Sequence, residues 1–555
     1  MKTIKSYSNV SCGLGQTWKR SYRRLVAGLA VLTVMFSACS ENIPVEQKDW
    51  DGTTNYYAST DEKQSTTYYK PSAGFVGDPM PFFDPVAQDF KVLYLQEFRP
   101  NMPGTYHPFW GVQTKDVAHY ASLNEVLPTG SIAEADAALG TGCVVYNETD
   151  QLYYIFYTAN RHLPKVGEDA QIIMKATSPD FKTWTKDPLF RLRGVEYAYS
   201  STDFRDPFVF FNDEDKLWHM IVTTKVGGKG NLAEFSSTDL NNWSHVGIFM
   251  PMMWDRFYEC PDVFKMGEYW YLIYSEMHSA VRRVQYFKGH TLAELKACTA
   301  GDAGIWPDNH EGFLDSRGFY AGKTASDGTN RYIWGWCPTR EGNNNAKTNS
   351  GSEPQWAGSL VAHRLIQHED GTLTLGEVPG IKDKYAQTKE IKLMAQSETG
   401  VTPDNGGGYK LEPNSYALFN RLDYHNHLSM TITTDEATDK FGFSFCRGTN
   451  SQSTDSVKYY TIIVNPESAT TRKVNFEEEG PEGKGFIEAI DGYVFNSPAD
   501  NTYHIDIYTD NSVCVVYIND NVCYTNRIYG NQHNCWSINS YNGNITISNL
   551  KRTHY

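Results

Sequence analysis

The chain has 555 residues, of which 40% are hydrophobic and 14% aromatic, and its formal net charge is −15. This length exceeds a single hydrophobic core, and the abundance of Tyr (36) and Phe (28) favours a folded, β-rich protein over a disordered one. Lys and Arg form no run beyond the first 25 residues, so nucleic acid is excluded as an expected partner, because phosphate binding needs such clusters.

The N-terminal segment has the features of a lipoprotein export signal. Four basic side chains between Lys19 and Arg24 precede the apolar segment 25–36, which is too short to span a bilayer by itself, and small residues precede Cys39. This pattern predicts a signal peptide over residues 1–38, lipidation of Cys39, and an acidic, flexible tether over 39–70. We therefore expect an exported protein, anchored by lipid at the outer membrane or cell surface, or facing the periplasm. An ordinary signal peptide with an incidental Cys39 is the alternative.

A repeated pattern follows the tether. Five segments share a small or acidic first residue, a short apolar strand, a polar turn and an aromatic strand. They begin at Asp78, Gly142, Asp206, Asp262 and Gly318, which are 64, 64, 56 and 56 residues apart. Each repeat is expected to form about four short strands, and radial stacking of such sheets buries faces that a lone sheet leaves exposed. The sequence therefore predicts an all-β protein with a five-bladed β-propeller over residues 71–382.

The last part of the chain has a different pattern. Apolar and polar residues alternate between turns rich in Gly, Asn and Asp, as in "HLSMTITTD" (427–435) and "TYHIDIYTD" (502–510). This pattern is typical of an antiparallel β-sandwich, which we assign to residues 390–555.

The cysteines give no sign of a metal site or a disulfide scaffold. Eight follow Cys39, and none forms a C-x-x-C pair. Cys514 and Cys523 flank a turn and could face each other across a hairpin, whereas free, buried thiols are expected for most of the others. No cofactor and no metal are therefore expected.

Three carboxylates lie at the starts of inner propeller strands. Asp78 opens the first repeat, Asp206 opens the third, and Glu259 lies just before the fourth. Because inner strands line a central channel, we expect the three side chains to share a pocket, where repulsion raises one pKa while the others stay low. Such a separation suits glycoside hydrolysis, which uses one carboxylate as nucleophile and one carboxylic acid as proton donor. For each residue alone, the alternative is a turn-capping role, and Arg205 could merely pair with Asp206.

The order of these motifs resembles that of the glycoside hydrolase family 32 fructosidases. An Asp-Pro pair in the first blade is followed by Arg-Asp-Pro (205–207) and Glu-Cys-Pro (259–261). The resemblance implies that Asp78 is the nucleophile, Glu259 the general acid/base and Asp206 a transition-state stabiliser that holds sugar hydroxyls. It also implies a retaining mechanism with a covalent fructosyl-enzyme intermediate.

Further segments extend the resemblance to the walls of the pocket. "VLYLQE" (92–97) is similar to the family's Y-H-L-F-Y-Q and implies that Gln96 binds substrate. "FWGVQTKDVAHY" (109–120) is similar to W-G-H-A-x-S-x-D-L-x-H-W and implies the same for Trp110. The segment 314–336 resembles the L-D-x-G-x-D-F-Y-A stretch and ends at Trp336, a pocket tryptophan by resemblance. Arg205 is expected to fix the charge of Asp206 and to contact the sugar.

The chain departs from the family pattern in four places. Gly77 replaces the Asn of W-M-N-D-P-N-G, and the Asn-Gly after Pro79 is missing. The S-G-S element is present only as "TGC" (141–143), and Val515 replaces a Glu in a sandwich strand. None of these changes removes a catalytic carboxylate, but they leave open which sugar occupies the neighbouring subsite.

Taken together, these features predict a β-fructosidase acting on levan, inulin or sucrose. Its expected partners are an oligo- or polysaccharide and, only through the lipid anchor, a membrane; a monomer is expected. One alternative is another five-bladed propeller glycosidase of the α-arabinosidase type, which inverts and needs more widely spaced carboxylates. A second is a non-catalytic glycan-binding surface lipoprotein, which would have no need of a proton donor. The sequence leaves open whether cleavage is terminal or internal.

Overall fold

The computed structural model describes most of the chain beyond the tether. The described residues are 67–98, 106–251, 257–276, 283–298, 312–340, 354–395, 397, 399–404, 406–447, 459–480, 483–486, 493–532 and 534–555. The predicted signal peptide and Cys39 lie outside these ranges. None of the helices within them combines the length and apolarity that a membrane crossing requires.

The first part of the described chain consists of five successive antiparallel sheets, or blades. The first blade comprises β1 (Phe75–Asp84), β2 (Asp89–Glu97), β3 (Phe109–Thr114) and β4 (Ala121–Leu127). The second comprises β5 (Ala138–Asn147), β6 (Leu152–Asn160), β7 (Gln171–Ser178) and β8 (Thr185–Lys186). The third comprises β9 (Phe204–Asn212), β10 (Leu217–Val226), β11 (Lys229–Ser237) and β12 (Ser244–Pro251), and a 3-10 turn at Gly194–Tyr197 precedes it. The fourth comprises β13 (Glu259–Met266), β14 (Tyr269–Glu276), β15 (Arg283–Gly289) and the helix Leu292–Ala297. The fifth comprises β16 (Tyr320–Ser326), β17 (Arg331–Arg340), β18 (Pro354–Gln367) and β19 (Leu373–Gly376).

The first strands of the five blades form a closed ring. Each of β1, β5, β9 and β13 lies beside the first strand of the next blade, and β16 lies beside β1. A bridge between Val76 of β1 and Gly358 of β18 joins the first and fifth sheets. Middle strands such as β2, buried along its whole length, are covered on both faces, because neighbouring blades pack against them. This is the predicted five-bladed propeller.

The remaining strands form two packed sheets. One contains β20 (Gln387–Lys389), β21 (Val401–Pro403), β22 (Tyr409–Leu411), β24 (His425–Thr434), β30 (Thr502–Asp510), β31 (Val513–Ile518), β32 (Val522–Arg527) and β34 (Ile545–His554). The other contains β23 (Tyr416–Phe419), β25 (Phe441–Arg447), β26 (Tyr459–Pro466), β27 (Thr471–Gly480), β28 (Gly483–Phe486), β29 (Tyr493–Asn496) and β33 (Cys535–Ser540). Leu428 and Ile505 of the first sheet share one core with Phe443 and Trp536 of the second, as a sandwich requires. The helix Pro379–Lys384 lies at the predicted transition between the two domains.

The register of the sandwich hairpin separates its two cysteines. Cys514 on β31 pairs with Asn526, and Cys523 on β32 pairs with Tyr517. The eight cysteines of the described residues are all free thiols. A disulfide across this hairpin does not form, because the two residues are not opposite each other.

Candidate active site

The inner strands share one local distortion at the same end of the ring. Each has a register shift in its pairing: between Gly77 and Met80 in β1, between Gly140 and Gly142 in β5, and between Glu259 and Asp262 in β13. The shifts of β9 and β16 lie beside Asp206 and Tyr320. An extra residue in one strand bends it and re-aims the side chains at that point, so five aligned bulges surround one end of the channel.

Strained backbone accompanies these bulges. Asp78 has φ 29°, Asp206 has φ 56° and Cys260, next to Glu259, has φ 51°. Residues other than Gly rarely adopt positive φ, and such strain is retained where the surrounding structure fixes it, often at functional sites. The motifs singled out by sequence are therefore also the strained points of β1, β9 and β13.

Asp78 is held by two donors. The Thr141 hydroxyl donates to its Oδ2 at 2.8 Å, and the Trp336 indole N–H donates to its Oδ1 at 2.9 Å. Burial raises the pKa of Asp78, the two hydrogen bonds lower it, and the charge of Glu259 raises it. The two donors come from the second and fifth blades, so they fix the rotamer of the carboxylate from both sides.

Asp206 is the most deeply buried of the three carboxylates, with 4% of its surface exposed. Its Oδ2 accepts the backbone N–H of Cys260 at 3.0 Å, and its own N–H donates to the Thr158 hydroxyl at 2.8 Å. Burial raises the pKa of Asp206 to about 7, while Arg205 opposes the shift and Glu259 and Asp78 add to it.

Glu259 lies between a cation and a phenol. Arg205 Nη2 donates to its Oε1 at 2.9 Å, and the Tyr320 hydroxyl donates to its Oε2 at 2.7 Å. Arg205 stands farther from Asp206, at 3.9 Å from Nε to Oδ2. Arg205 therefore acts on both carboxylates: its charge opposes the raised pKa of Asp206, as expected, and its Nη2 in addition donates to Glu259 of the fourth blade.

Two carboxyl groups, rather than one, have a raised pKa. The sequence-based expectation assigned a single raised pKa to the cluster, but burial acts on both Asp78 and Asp206. Arg205 contacts Glu259 at 2.9 Å and Asp206 at 3.9 Å, whereas Asp78 is held by the neutral Thr141 and Trp336, so the pocket carries excess negative charge. Such a cluster holds protons readily and suits acid–base chemistry.

The other two predicted pocket residues have a different placement. The Gln96 side chain is fully buried on β2, where its Nε2 donates to the Ala73 carbonyl at 2.6 Å. Trp110 is half-buried on β3 and packs against Phe98, with ring centroids 6.2 Å apart. In the ranges that the structure covers, neither residue has a hydrogen bond to the three carboxylates, whereas Arg205 and Trp336 both do.

Sequence reasoning did not assign Thr141, Tyr320 or the Cys260 amide to the site. Thr141 lies in "TGC", at the start of the second repeat, and Tyr320 opens the inner strand of the fifth blade. The equivalent position in each repeat was the available signal, because every inner strand presents one residue to the same pocket.

Trp356 explains the absence of Asn before the first catalytic motif. A Cβ atom at Gly77 would lie 2.3 Å from Trp356 Cη2 and 2.7 Å from its Cζ2, so the indole fills the space of a side chain. The Trp356 ring also lies 6.2 Å from the Trp336 ring and 4.4 Å from that of His107, which pairs with Glu97 at 2.7 Å. Gly77, Trp356 and Trp336 thus form one packed wall beside Asp78.

Replacing Gly77 with Ala should displace Trp356 and impair the site. We expect kcat/KM to fall about 5- to 160-fold, because overpacking at a tight contact costs about 1 to 3 kcal/mol and disturbs the support of Asp78. Steady-state kinetics on the substrate identified below measures the loss. The matched control is the same change in a Trp356→Ala background, where the added methyl group meets no ring and should cost little. Equal losses in both backgrounds would contradict this account of the wall.

Two family models match this chain, one over the propeller and one over the sandwich. The family model described as "Glycosyl hydrolases family 32 N-terminal domain" matches residues 68–379, and "GH32, BT1760-like, C-terminal domain" matches residues 371–552. A sucrose-6-phosphate hydrolase of Vibrio alginolyticus is 25% identical over 341 residues, which are 59% of this chain and 66% of that enzyme. An extracellular exo-inulinase of Aspergillus niger is 28% identical over 201 residues, or 29% of this chain and 37% of that enzyme. The alignments thus span two thirds or less of these relatives.

Solved structures agree on the fold. Fructan 1-exohydrolase IIa from Cichorium intybus superposes with a TM-score of 0.67 at 14% identity, covering 90% of this chain and 98% of the other. A β-fructofuranosidase from Bombyx mori superposes with a TM-score of 0.64 at 15% identity, covering 91% and 95% of the two chains.

Proposed function

Because the chain belongs to glycosyl hydrolase family 32, we propose that it hydrolyses β-fructosyl linkages in fructans or sucrose with retention of configuration. The observation that carries this proposal is the cluster of Asp78, Asp206 and Glu259, presented by aligned bulges of three blades around Arg205. Relatives named as an exo-inulinase and a β-fructofuranosidase support the substrate class.

In the first step Asp78 attacks the anomeric carbon of the fructosyl unit. One carboxylate oxygen forms the ester bond, and the bond from the anomeric carbon to the leaving oxygen breaks. Glu259 donates its proton to that oxygen, so the leaving sugar departs as a neutral alcohol. Thr141 and Trp336 hold Asp78 in its attacking rotamer by hydrogen bonds, and neither of them transfers a proton to its carboxylate.

In the second step water cleaves the ester. Glu259, now ionised, takes a proton from the attacking water. The water oxygen bonds to the anomeric carbon, and Asp78 leaves as a carboxylate. The Arg205 guanidinium and the Tyr320 hydroxyl stabilise the ionised form of Glu259. Asp206, tethered to the Cys260 amide, accepts hydrogen bonds from sugar hydroxyls as charge develops on the ring.

Cys260 is not a competing nucleophile. The residue is 2% exposed, and burial together with the surrounding carboxylates raises the pKa of its thiol well above the ordinary value. A thiol attacks as the thiolate, so this environment suppresses its reactivity.

Product analysis tests the activity and the mode of cleavage. The purified chain is incubated separately with levan, inulin and sucrose, and the products are separated. From levan or inulin, release of fructose without oligosaccharides indicates terminal cleavage, and oligosaccharides indicate internal cleavage; sucrose should give fructose and glucose in equal amounts. Glu259→Gln should lower kcat about 10²- to 10⁴-fold, the range for loss of a general acid. The outcome that overturns the proposal is an inert wild-type chain indistinguishable from Glu259→Gln on all three substrates.

The configuration of the first product separates the proposal from its two rivals. Polarimetry or NMR during early turnover should detect the β-anomer, as a retaining enzyme requires. The α-anomer would indicate an inverting glycosidase of the α-arabinosidase type. Binding of fructan without any product would indicate a glycan-binding lipoprotein.

We also propose that the mature protein is a monomer held at the outer membrane or cell surface by a lipid on Cys39. The basic segment, the short apolar run and the small residues before Cys39 support this placement. Cells fed a labelled fatty acid should incorporate label into the wild-type protein and not into Cys39→Ser, which should be recovered unanchored. Label that persists in Cys39→Ser, or is missing from both proteins, would contradict the anchor. Protease treatment of intact cells distinguishes the outer surface from the periplasmic face.

A further inference from the structure

The channel of the propeller has a second ring of side chains just below the bulges. Each inner strand contributes the residue two positions after its bulged residue. The five members, in blade order, are Met80, Cys143, Phe208, Asp262 and Lys323. Residues two apart in a strand face the same way, so this ring forms the floor of the carboxylate pocket. Among the five, only Lys323 is a cation.

The Lys323 side chain crosses the channel. Its Nζ donates to the Gly142 carbonyl of β5 at 2.9 Å and lies 5.1 Å from the ring centroid of Phe208 on β9. The strands beside β16 in the ring are β1 and β13, whereas β5 and β9 belong to the second and third blades. One lysine thus ties the inner strand of the fifth blade to strands on the far side of the channel.

The ammonium group of Lys323 is buried without a close counter-ion. The residue is 2% exposed, and no salt bridge joins it to a carboxylate in the part of the chain that the structure describes. The titratable groups that face it are Cys143, Cys260 and Asp262, and Asp262 interacts more strongly with Arg331 than with Lys323. Burial of a charge is costly unless the charge is well paired, and proteins accept such departures chiefly at functional sites.

The floor holds the peptide that follows Thr141. The Gly142 N–H donates to Met80 Sδ at 3.1 Å, and the Gly142 carbonyl accepts from Lys323. A Cβ atom at Gly142 would lie 2.1 Å from the Phe156 carbonyl oxygen, so a larger residue does not fit there. Both polar groups of this peptide are therefore fixed by side chains of the floor.

Thr141 depends on this support because the bulge removes it from the strand ladder. The pairing of β5 with β6 skips Thr141, whose carbonyl accepts instead from the Thr158 hydroxyl at 2.8 Å. The Thr141 hydroxyl donates to Asp78 Oδ2 at 2.8 Å. The position of this donor is consequently set by side chains and by the Gly142 peptide, rather than by regular pairing.

We propose that Lys323 is a positioning residue for hydrolysis: by holding Gly142 from across the channel, it keeps the Thr141 hydroxyl on the nucleophile Asp78. The inference rests on the proposed function. Lys323 touches no sugar and transfers no proton, and its charge lies beneath a pocket with excess negative charge. A displacement of about 1 Å at a reacting group can cost about 10²-fold in rate, so loss of this support should be visible in kcat.

Lys323→Met tests the role, because it removes the ammonium group and keeps an apolar stem. We expect kcat to fall about 10- to 100-fold while KM changes less than about threefold, since Asp206 still binds the sugar. Steady-state kinetics on the substrate found by product analysis and the unfolding midpoint are measured on the same preparation. A lower midpoint with kcat within about threefold of the wild type would show a purely structural lysine and overturn the proposal.

Lys175→Met is the matched control. Lys175 on β7 is 3% exposed, and its Nζ lies 2.6 Å from Asn241 Oδ1, away from the carboxylates. This variant also removes a buried ammonium group, and it should keep kcat within about threefold. A loss of kcat as large as that of Lys323→Met would overturn the proposal, because any buried lysine would then have the same effect.

A double-mutant cycle with Thr141→Val tests whether Lys323 acts through Thr141. Thr141→Val alone removes the donor to Asp78, so in that background Lys323→Met should lower kcat/KM by less than about threefold more. Losses that multiply would overturn the proposal. If Lys323→Met does not fold, Lys323→Gln, which is uncharged and one atom shorter, replaces it in the cycle with the same expectations. An inert wild type would overturn the proposed function and this inference together, whereas an active wild type with multiplying losses would overturn this inference alone.

Discussion

Asp78→Asn should abolish fructoside hydrolysis while leaving the fold intact. We expect kcat to fall by about 10⁴-fold or more, because the amide cannot form the covalent ester and nothing else in the pocket replaces the nucleophile. The fold should persist because an Asn side chain can keep a hydrogen bond to each of the two neighbours of Asp78. Its carbonyl oxygen accepts the Trp336 N–H, and its NH₂ group donates to the Thr141 hydroxyl, which can reverse its role. Steady-state kinetics and the thermal unfolding midpoint, measured on the same preparation, check both parts.

Azide distinguishes a nucleophile from a residue that merely shapes the pocket. In Asp78→Gly the vacated space should admit azide, which attacks the substrate on the face that Asp78 used and gives the α-fructosyl azide. In Glu259→Ala azide should instead attack the fructosyl-enzyme ester and give the β-fructosyl azide. Opposite anomers from the two variants would assign the two carboxylates separately. The same anomer from both, or rescue of neither, would contradict the proposed roles.

The number of blades and the location of the pocket were predictable, because both depend on a repeat that is visible in the sequence. Asp78, Gly142 and Asp206 recur at equal spacing, and each opens an inner strand or lies within its first half. The acidic residues at these positions could be grouped without any three-dimensional information, since a propeller brings equivalent positions together.

The bulges could not be predicted in the same way. Positive φ at Asp78, Asp206 and Cys260 is imposed by pairing with the next strand and by packing between blades, and none of the three is the Gly that usually marks such a conformation. The bulges decide which neighbour each side chain meets. Arg205 accordingly donates to Glu259, 54 residues away, at 2.9 Å and stands 3.9 Å from Asp206 beside it.

Asp206→Asn should remove activity and at the same time stabilise the protein above neutral pH. Loss of the carboxylate removes a charged acceptor for sugar hydroxyls, and we expect kcat/KM to fall about 10²- to 10³-fold. The gain in stability follows from the pKa of Asp206, which burial raises from 3.8 to about 7. The folded protein holds this proton over a pH range in which the unfolded chain has lost it. The stability of the wild type therefore falls as the pH rises from about 4 through about 7.

The variant lacks this titrating group, so the difference between the two proteins should develop over the same pH range. At pH 4 the unfolding midpoints of the two proteins should be similar. Above pH 7 the variant should be more stable by about 1 to 3 kcal/mol. This gain is smaller than the free energy that the full pKa shift represents, because Asn interacts more weakly with Arg205 than the carboxylate does. Calorimetry at several pH values provides the measurement. Arg205 itself remains paired with Glu259 at 2.9 Å and Asp203 at 3.2 Å, so no buried cation is left alone.

Asp262→Asn is the matched control, because Asp262 is equally buried on β13 and burial also raises its pKa. Its Oδ2 accepts the backbone N–H of Thr324, and the buried Arg331 is the cation that most opposes the shift. Burial outweighs the attraction of Arg331, so the net pKa of Asp262 is raised and removing its charge should also raise stability above neutral pH. Asp262→Asn should nevertheless retain activity within about threefold, because its carboxylate is bonded to the Thr324 amide rather than to a member of the pocket. Activity therefore separates the two variants. A loss of kcat/KM in Asp262→Asn as large as in Asp206→Asn would contradict the role of Asp206 at the sugar, and a loss of stability in Asp206→Asn at pH 8 would contradict the linkage argument.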